Sequence, residues 1–214
     1  MTDTAPTTTG AAEVAAPAPA PPSFWHRAPG WIFHAALLPG ALAMVWAASY
    51  PTGSLEIWIL GVYWLIPCAL IWTVRLVAYL VGRFRPGRSG RAWPFLVAPI
   101  GGVLVVALAA SSVPFDARWG ASRGSFDRYA DELVSGVEDD PDLADAVAPS
   151  RRVGLYVVDT AWVDEDGNAF LHVAGSGFIS SGGFARFPGE PPQPEGEDDF
   201  EHLSGDWYLW YDGF

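Results

Sequence analysis

The sequence predicts a membrane protein in two parts: an α-helical membrane region of three transmembrane helices, followed by a small α+β domain with an antiparallel sheet. Three observations support this fold class. Residues 31–113 contain three long apolar runs, an arginine-rich loop separates the second run from the third, and the composition turns strongly acidic from residue 114. The overall hydrophobic content of 50% therefore averages two very different regions.

The chain begins with an Ala/Pro/Thr-rich tail, residues 1–30, which we expect to be disordered and cytoplasmic. Its first 23 residues include no large apolar side chain except Val14 and Met1. Such a segment buries too little surface to offset the entropy lost on ordering. His26 and Arg27 precede the first apolar run, which favours a cytoplasmic start for that run.

The three apolar runs are residues 31–50, 57–81 and 94–113. Crossing about 30 Å of hydrocarbon takes ~20 helical residues, so each run is long enough to be a transmembrane helix. The first run has an alternative interpretation as a cleaved signal peptide, with Ala47-Ala48-Ser49 as the cleavage site. Its length favours a retained helix, because signal cores are typically ~7–15 residues long.

The loop 82–93 sets the orientation of the membrane region. Arginines in short loops are retained on the cytoplasmic side. This places the N-terminus in the cytoplasm and the C-terminal domain outside it, in a multi-pass protein of the cell membrane. Arg75, the one charge in the second run, is expected to extend its side chain to the cytoplasmic surface of the bilayer. The loop arginines are Arg83, Arg85, Arg88 and Arg91.

The second part, residues 114–214, carries 21 of the 24 acidic residues and 6 of the 12 arginines, a net charge of −15. A surface of this sign excludes nucleic acid as a partner, because binding phosphates needs positive charge. The single cysteine, Cys68, lies in the second apolar run, so a disulfide within the chain and cysteine-based metal sites are excluded too.

The acidic domain is predicted to pack helices on one face of its sheet. A helix over 122–135 would begin at Ser122 as N-cap, and Asp140-Pro141 would open a second, short helix. Runs of β-branched and aromatic residues predict strands at 151–163, 169–174, 178–187 and 207–211. The proline-rich acidic segment 188–202 is predicted to be a solvated loop.

The sequence predicts no catalytic, cofactor-binding or metal-binding residue. Residues 164–168 resemble a calcium loop, but alignment on Gly167 places Trp162 and Val173 at the first and last ligand positions, so a hairpin turn is favoured. A Ser176 triad with His172 or His202 remains a weak alternative. So does a weak cation site in the acidic loop, formed by Glu197, Asp198, Asp199 and Glu201.

The last third of the chain resembles a type of small, uncharacterised multi-pass membrane protein of high-GC bacteria. The patterns that carry this resemblance are Gly-Leu-Tyr-x-Val at 154–158, Gly-x-x-Phe at 167–170, Gly-Ser-Gly-Phe at 175–178, and Gly-Phe-Ala-x-x-Pro at 183–188. The resemblance implies the architecture described above and no site.

These observations predict a protein that is not an enzyme but a membrane-anchored interaction or structural protein of the cell envelope. Its expected partners are the lipid bilayer and either an envelope protein or further copies of the same chain. A membrane protein that senses a ligand or cation through its external domain is the alternative. Four aromatic residues near the C-terminus are expected either to pack against the sheet or to line a partner groove: Trp207, Tyr208, Trp210 and Tyr211.

Overall fold

The structure, a computed structural model, describes residues 29–83, 92–177, 181–192 and 199–212. Several sequence predictions fall outside these ranges. They are the tail up to residue 28, three of the four loop arginines, and the acidic residues Glu195, Glu197 and Asp198.

The first part of the chain forms three apolar helices: α1 (Trp31–Ala47), α2 (Leu55–Arg83) and α3 (Pro94–Ala109). α2 contains a 28-residue stretch, Leu55–Gly82, in which an 18-residue window has mean hydropathy 2.0, so it is long and apolar enough to cross a membrane. α1 and α3 are shorter, although α3 meets the same criterion together with the next helix, at an angle of 50°. The described chain thus has one helix that is long and apolar enough to cross a membrane, or two if the bent pair counts as one span, and the predicted three spans are not confirmed.

α1 ends at Ala47 and not at the predicted residue 50, because the residues that follow form a turn closed by local hydrogen bonds. Ser49 Oγ donates to the carbonyl of Trp46 at 2.7 Å, and Pro51 has no amide proton with which to extend the helix. α1 and α2 pack closely at a glycine: a Cβ on Gly40 would lie 2.6 Å from Leu65 Cγ. Arg75 is 5% exposed, so its guanidinium is packed against the protein instead of extending outward as predicted.

α4 (Val113–Asp139) follows α3 almost directly and is 27 residues long. The sequence prediction of a helix beginning at Ser122 is wrong. Ser122 is fully buried inside α4, where its Oγ accepts a hydrogen bond from Leu155 N–H at 3.1 Å. The helix begins earlier because Pro114 occupies its first turn, where a proline needs no amide partner. The predicted second helix is a single 3₁₀ turn, Pro141–Leu143.

The acidic domain contains a six-stranded, fully antiparallel sheet with strand order β1-β2-β3-β4-β6-β5, which confirms the predicted α+β class. The strands are β1 (Arg151–Val153), β2 (Tyr156–Val163), β3 (Ala169–Val173), β4 (Ser181–Arg186), β5 (Asp199–Ser204) and β6 (Trp207–Asp212).

Two strand predictions need correction. The run 151–163 is two strands, because Gly154 adopts φ +58° and turns the chain back on itself after three residues. A Cβ at Gly154 would also lie 2.7 Å from Ser122 Cβ, so only glycine fits between the turn and α4. The predicted loop 188–202 contains the first four residues of β5, because residues 199–202 pair in antiparallel register with β6; Phe200 lies opposite Trp210, and His202 lies opposite Tyr208.

Candidate functional site

The sheet has an inner face, covered by α4, and an outer face. Strand β6 shows the division, because its side chains alternate between the two. Trp207 points inward and is 1% exposed, and it meets Phe126 of α4 with ring centroids 5.9 Å apart. Tyr208 and Trp210 point outward. The four terminal aromatics of the sequence prediction therefore divide between the two faces of the sheet, with Trp207 and Tyr211 on the inner face and Tyr208 and Trp210 on the outer face.

A continuous group of aromatic side chains crosses the outer face from β2 to β5. Trp162 and Phe170 stack in parallel at 5.2 Å, and both contact Trp210. Phe187 joins Phe170 to the far side of the sheet, and most of these rings are half-buried. We call this set the outer aromatic face; it comprises Trp162, Phe170, His172, Phe187, Phe200, His202, Tyr208 and Trp210.

A β-bulge places a carboxylate beside this face. The register of β2 and β3 shifts between Val158 and Thr160, which leaves Asp159 as the extra residue. Bulges redirect side chains and occur often beside functional sites. Here the carboxylate of Asp159 lies 2.5 Å from His172 Nδ1. The contact fixes the orientation of the imidazole, with Nε2 on the opposite side of the ring.

Two ring nitrogens, one of His172 itself and one of the neighbouring Trp210, have no hydrogen-bond partner among the described residues. They are His172 Nε2 and Trp210 Nε1, both buried, on rings whose centroids are 6.3 Å apart. Buried polar atoms in native proteins are nearly always paired, because an unmade hydrogen bond costs about 1–3 kcal/mol. The outer aromatic face therefore combines half-buried rings with polar groups that lack a protein partner.

Two clefts of the described chain, of about 310 and 180 Å³, lie along α4 and are not lined by the outer aromatic face. Small-molecule sites are usually concave and enclose most of the ligand. A surface rich in tryptophan and tyrosine is more typical of a protein interface.

A second arrangement joins the domain to the loop between α1 and α2. Arg118 of α4 is 6% exposed, and its guanidinium lies 4.1–4.5 Å from the ring centroids of Trp46, Tyr50 and Tyr156. Its Nη1 donates to Ser49 Oγ at 3.0 Å. This buried cation is thus held by three aromatic faces at the end of α1, which we call the Arg118 junction.

The Gly-Leu-Tyr triplet at 154–156 completes the Arg118 junction. The carbonyl of Leu155 accepts a hydrogen bond from Arg118 Nη2 at 2.6 Å, and Tyr156 donates its hydroxyl to the Ser49 carbonyl at 3.2 Å. Burial raises the pKa of Tyr156 well above its ordinary value, although the neighbouring guanidinium acts in the opposite direction. Tyr156 therefore stays protonated and keeps this bond across the physiological range.

The resemblance to a calcium loop at 164–168 does not extend to the geometry. Asp164 Oδ1 accepts from the backbone amides of Asp166 and Asn168, at 3.1 and 2.7 Å, and Gly167 adopts φ +81°. The carboxylate is thus used to close the predicted hairpin turn. Within the described ranges, no three His, Cys, Asp or Glu side chains are grouped as metal ligands.

The structure separates the members of the possible triad. Ser176 Oγ lies 2.7 Å from the carbonyl of Val173 and 2.5 Å from that of Gly182, two backbone partners. His172 pairs with Asp159, and His202 Nε2 lies 2.9 Å from the Gly205 carbonyl. Of the four acids proposed as a cation site, Asp199 and Glu201 belong to β5, and the other two lie outside the described residues.

Sequence reasoning missed both the outer aromatic face and the Arg118 junction. The alternating aromatics of 207–211 carried a signal for the first. For the second, a lone arginine in an amphipathic helix gives no sign of partners 69 positions away.

Comparison of the chain with protein families, curated proteins and solved structures finds no match.

Proposed function

We propose that the protein is a non-enzymatic, membrane-anchored interaction protein that presents the outer aromatic face to a partner protein in the cell envelope. The observation that carries this proposal is the outer aromatic face itself, a contiguous group of rings, most of them half-buried, on the side of the sheet opposite α4. A partner that covered these rings would remove their exposed apolar area from water.

The membrane part of the proposal has three spans, at 31–50, 57–81 and 94–113, with the bilayer as their partner. Support comes from the large apolar side chains that α1, α2 and α3 leave without protein cover, such as Ile32, Leu60 and Val103, which are 67–69% exposed. Exposed apolar surface of this extent is favourable in contact with lipid and unfavourable in contact with water. α1 is short for a span, and the turn of residues 48–50 with Tyr50 would complete it at the interface.

The orientation follows from the arginine loop. With loop 82–93 in the cytoplasm, the N-terminus is cytoplasmic and the acidic domain is outside. The Arg118 junction then lies at the outer membrane–water interface, where Trp46 and Tyr50 would also serve as interfacial aromatics.

Sidedness is tested with a single cysteine. In a Cys68→Ser background, Glu165→Cys places an exposed thiol in the β2–β3 turn. We expect a membrane-impermeant maleimide to label it in intact cells, whereas labelling only after lysis would contradict the proposed orientation. A cysteine at Ala92, at the end of the arginine loop, is the matched control for the opposite side.

Use of the outer aromatic face is tested by photo-cross-linking. A benzophenone amino acid at Tyr208 reports on this face, and the same residue at Glu138 of α4 is an exposed control on the other side of the domain. We expect an adduct in native membranes from position 208 alone, and its loss when Phe170 is changed to alanine. An adduct of twice the chain mass identifies a second copy as the partner. Monomer alone from both positions would contradict a partner role.

A sensor is the second candidate, favoured by the Arg118 junction. A ligand-induced change in the sheet would reach the α1–α2 loop directly through Leu155 and Tyr156, whose hydrogen bonds meet at Arg118 and Ser49. A ligand that binds only the folded state must raise its stability. Unchanged melting of the full chain at millimolar Ca²⁺ would eliminate the cation version.

A further inference from the structure

The sheet has two edges of unequal length. β1 is three residues long, and its Arg151 is already bound to Glu132 of α4 at 2.8 Å. β5 is six residues long and pairs, in the part of the chain that the structure describes, with β6 only. Its other side is a row of backbone groups of the kind that accept an added strand.

One outward-facing amide of β5 can be identified. The N–H of Phe200 donates to the carboxylate of its neighbour Asp199 at 3.0 Å, so it points away from β6. Backbone groups alternate in direction along a strand, so the amide of His202 points outward as well. The carboxylate of Asp199 thus protects an edge amide that a partner's carbonyl would otherwise bond.

The side chains of β5 differ between its two faces. Asp199 and Glu201 lie on the inner side, and both are exposed; Tyr211 donates to Glu201 Oε2 at 3.1 Å and holds it there. Phe200 and His202 lie on the outer side and extend the outer aromatic face to the edge. An added strand would therefore meet carboxylates on one side and aromatic rings on the other.

We infer that β5 binds, by strand addition, an extended segment of a partner protein whose residues alternate between basic and apolar. The basic side chains lie beside Asp199 and Glu201, and the apolar ones beside Phe200 and the outer aromatic face. The two carboxylates repel a second copy of β5, and the net charge of −15 on the domain favours a cationic partner over a neutral one. The inference rests on the proposed function and specifies its mode of binding.

The test uses the full chain in nanodiscs of neutral lipid and fluorescently labelled short peptides. One peptide alternates lysine and valine, the second has the same composition in two blocks, and the third alternates glutamate and valine. We expect the alternating lysine peptide to bind at least about tenfold more tightly than either of the others, a difference of ~1.4 kcal/mol. Equal binding of the alternating and block lysine peptides would show charge attraction alone and overturn strand addition.

Charge reversal gives the specific control. The double change Asp199→Lys and Glu201→Lys is expected to abolish the preference, so that the alternating lysine peptide binds no more tightly than the block peptide. The matched variant Asp139→Lys with Glu138→Lys changes charge equally at the end of α4 and is expected to keep the original preference. If both double variants behave alike, or if the chain dimerises through β5, the inference is wrong.

A backbone variant separates strand addition from side-chain contacts. His202→Pro removes one outward amide, and proline is tolerated at such positions of edge strands. We expect loss of peptide binding with the melting temperature little changed. The charge-reversal result decides the question if this variant unfolds. Cross-linking from Tyr208 is independent of β5 pairing, so an adduct there with no peptide binding would reject strand addition and leave the proposed function standing.

Discussion

Both faces of the sheet carry aromatic rings, and α4 packs against the inner face. On the inner face Phe126, Tyr156, Phe184 and Trp207 are at most 1% exposed and meet one another edge to face. Most rings of the outer aromatic face are half-buried; Trp210 is 7% exposed, and its indole nitrogen has no hydrogen-bond partner among the described residues. Aromatic content alone therefore does not determine how deeply a ring is buried; the layer that packs against it does.

The largest expected loss of stability comes from truncating a buried ring of the inner face, and a ring of the outer face provides the comparison. Phe126→Ala should lower the free energy of unfolding by about 3–5 kcal/mol, because it opens a cavity between α4 and the sheet. Phe170→Ala removes a ring that is half-buried in the folded chain and should cost less than about 1.5 kcal/mol. Urea unfolding of the full chain in micelles measures both, and equal losses would mean that the two faces do not differ as described.

The Arg118 junction anchors the inner face to the α1–α2 loop. Arg118→Met should lower the free energy of unfolding by about 2–4 kcal/mol, because it removes contacts with three rings and a hydrogen bond to a buried carbonyl. Arg128→Met is the control, since Arg128 is exposed and donates a long hydrogen bond to Ser125 Oγ at 3.3 Å. Similar melting of the two variants would contradict a structural role for the junction.

The dependence of stability on alkaline pH tests the environment of Tyr211. Burial, together with the Glu201 carboxylate, raises the pKa of Tyr211 to about 12. In the unfolded chain tyrosine has a pKa of about 10, so the folded state holds this proton more tightly. Its contribution to stability is complete below pH 10 and is lost as the pH rises towards 12. Tyr211→Phe should flatten the decrease in melting temperature over that range, and an unchanged slope would contradict the assignment.

The smallest expected effect concerns the ion pair between Arg186 of β4 and Asp131 of α4, 2.6 Å apart. Asp131 is 66% exposed, and exposed pairs contribute ~0–1 kcal/mol. Asp131→Asn should therefore change the urea midpoint only slightly, and less so in high salt. A loss comparable to that of Phe126→Ala would show that charge pairing, and not ring burial, holds α4 on the sheet.

The sequence by itself determined the division into an apolar and an acidic region, the α+β class of the second, and the hairpin turn at 164–168. These follow from patterns within a few residues of one another, such as alternation along a strand or an aspartate capping its own turn. Predictions from local patterns were wrong where a contact between residues distant in sequence determined the structure. Ser122 has the chemistry of an N-cap, yet it lies mid-helix because its hydroxyl bonds a turn 33 positions away.

Tertiary structure alone decided which aromatic face is covered, that Asp159 is pushed out beside His172, and that Arg118 lies among three rings. Each depends on residues brought together across the sheet or from the membrane helices, and burial depends on what packs above a side chain as well as on the side chain itself. Aromatic side chains thus form a core on one side of the sheet and a largely half-buried surface on the other.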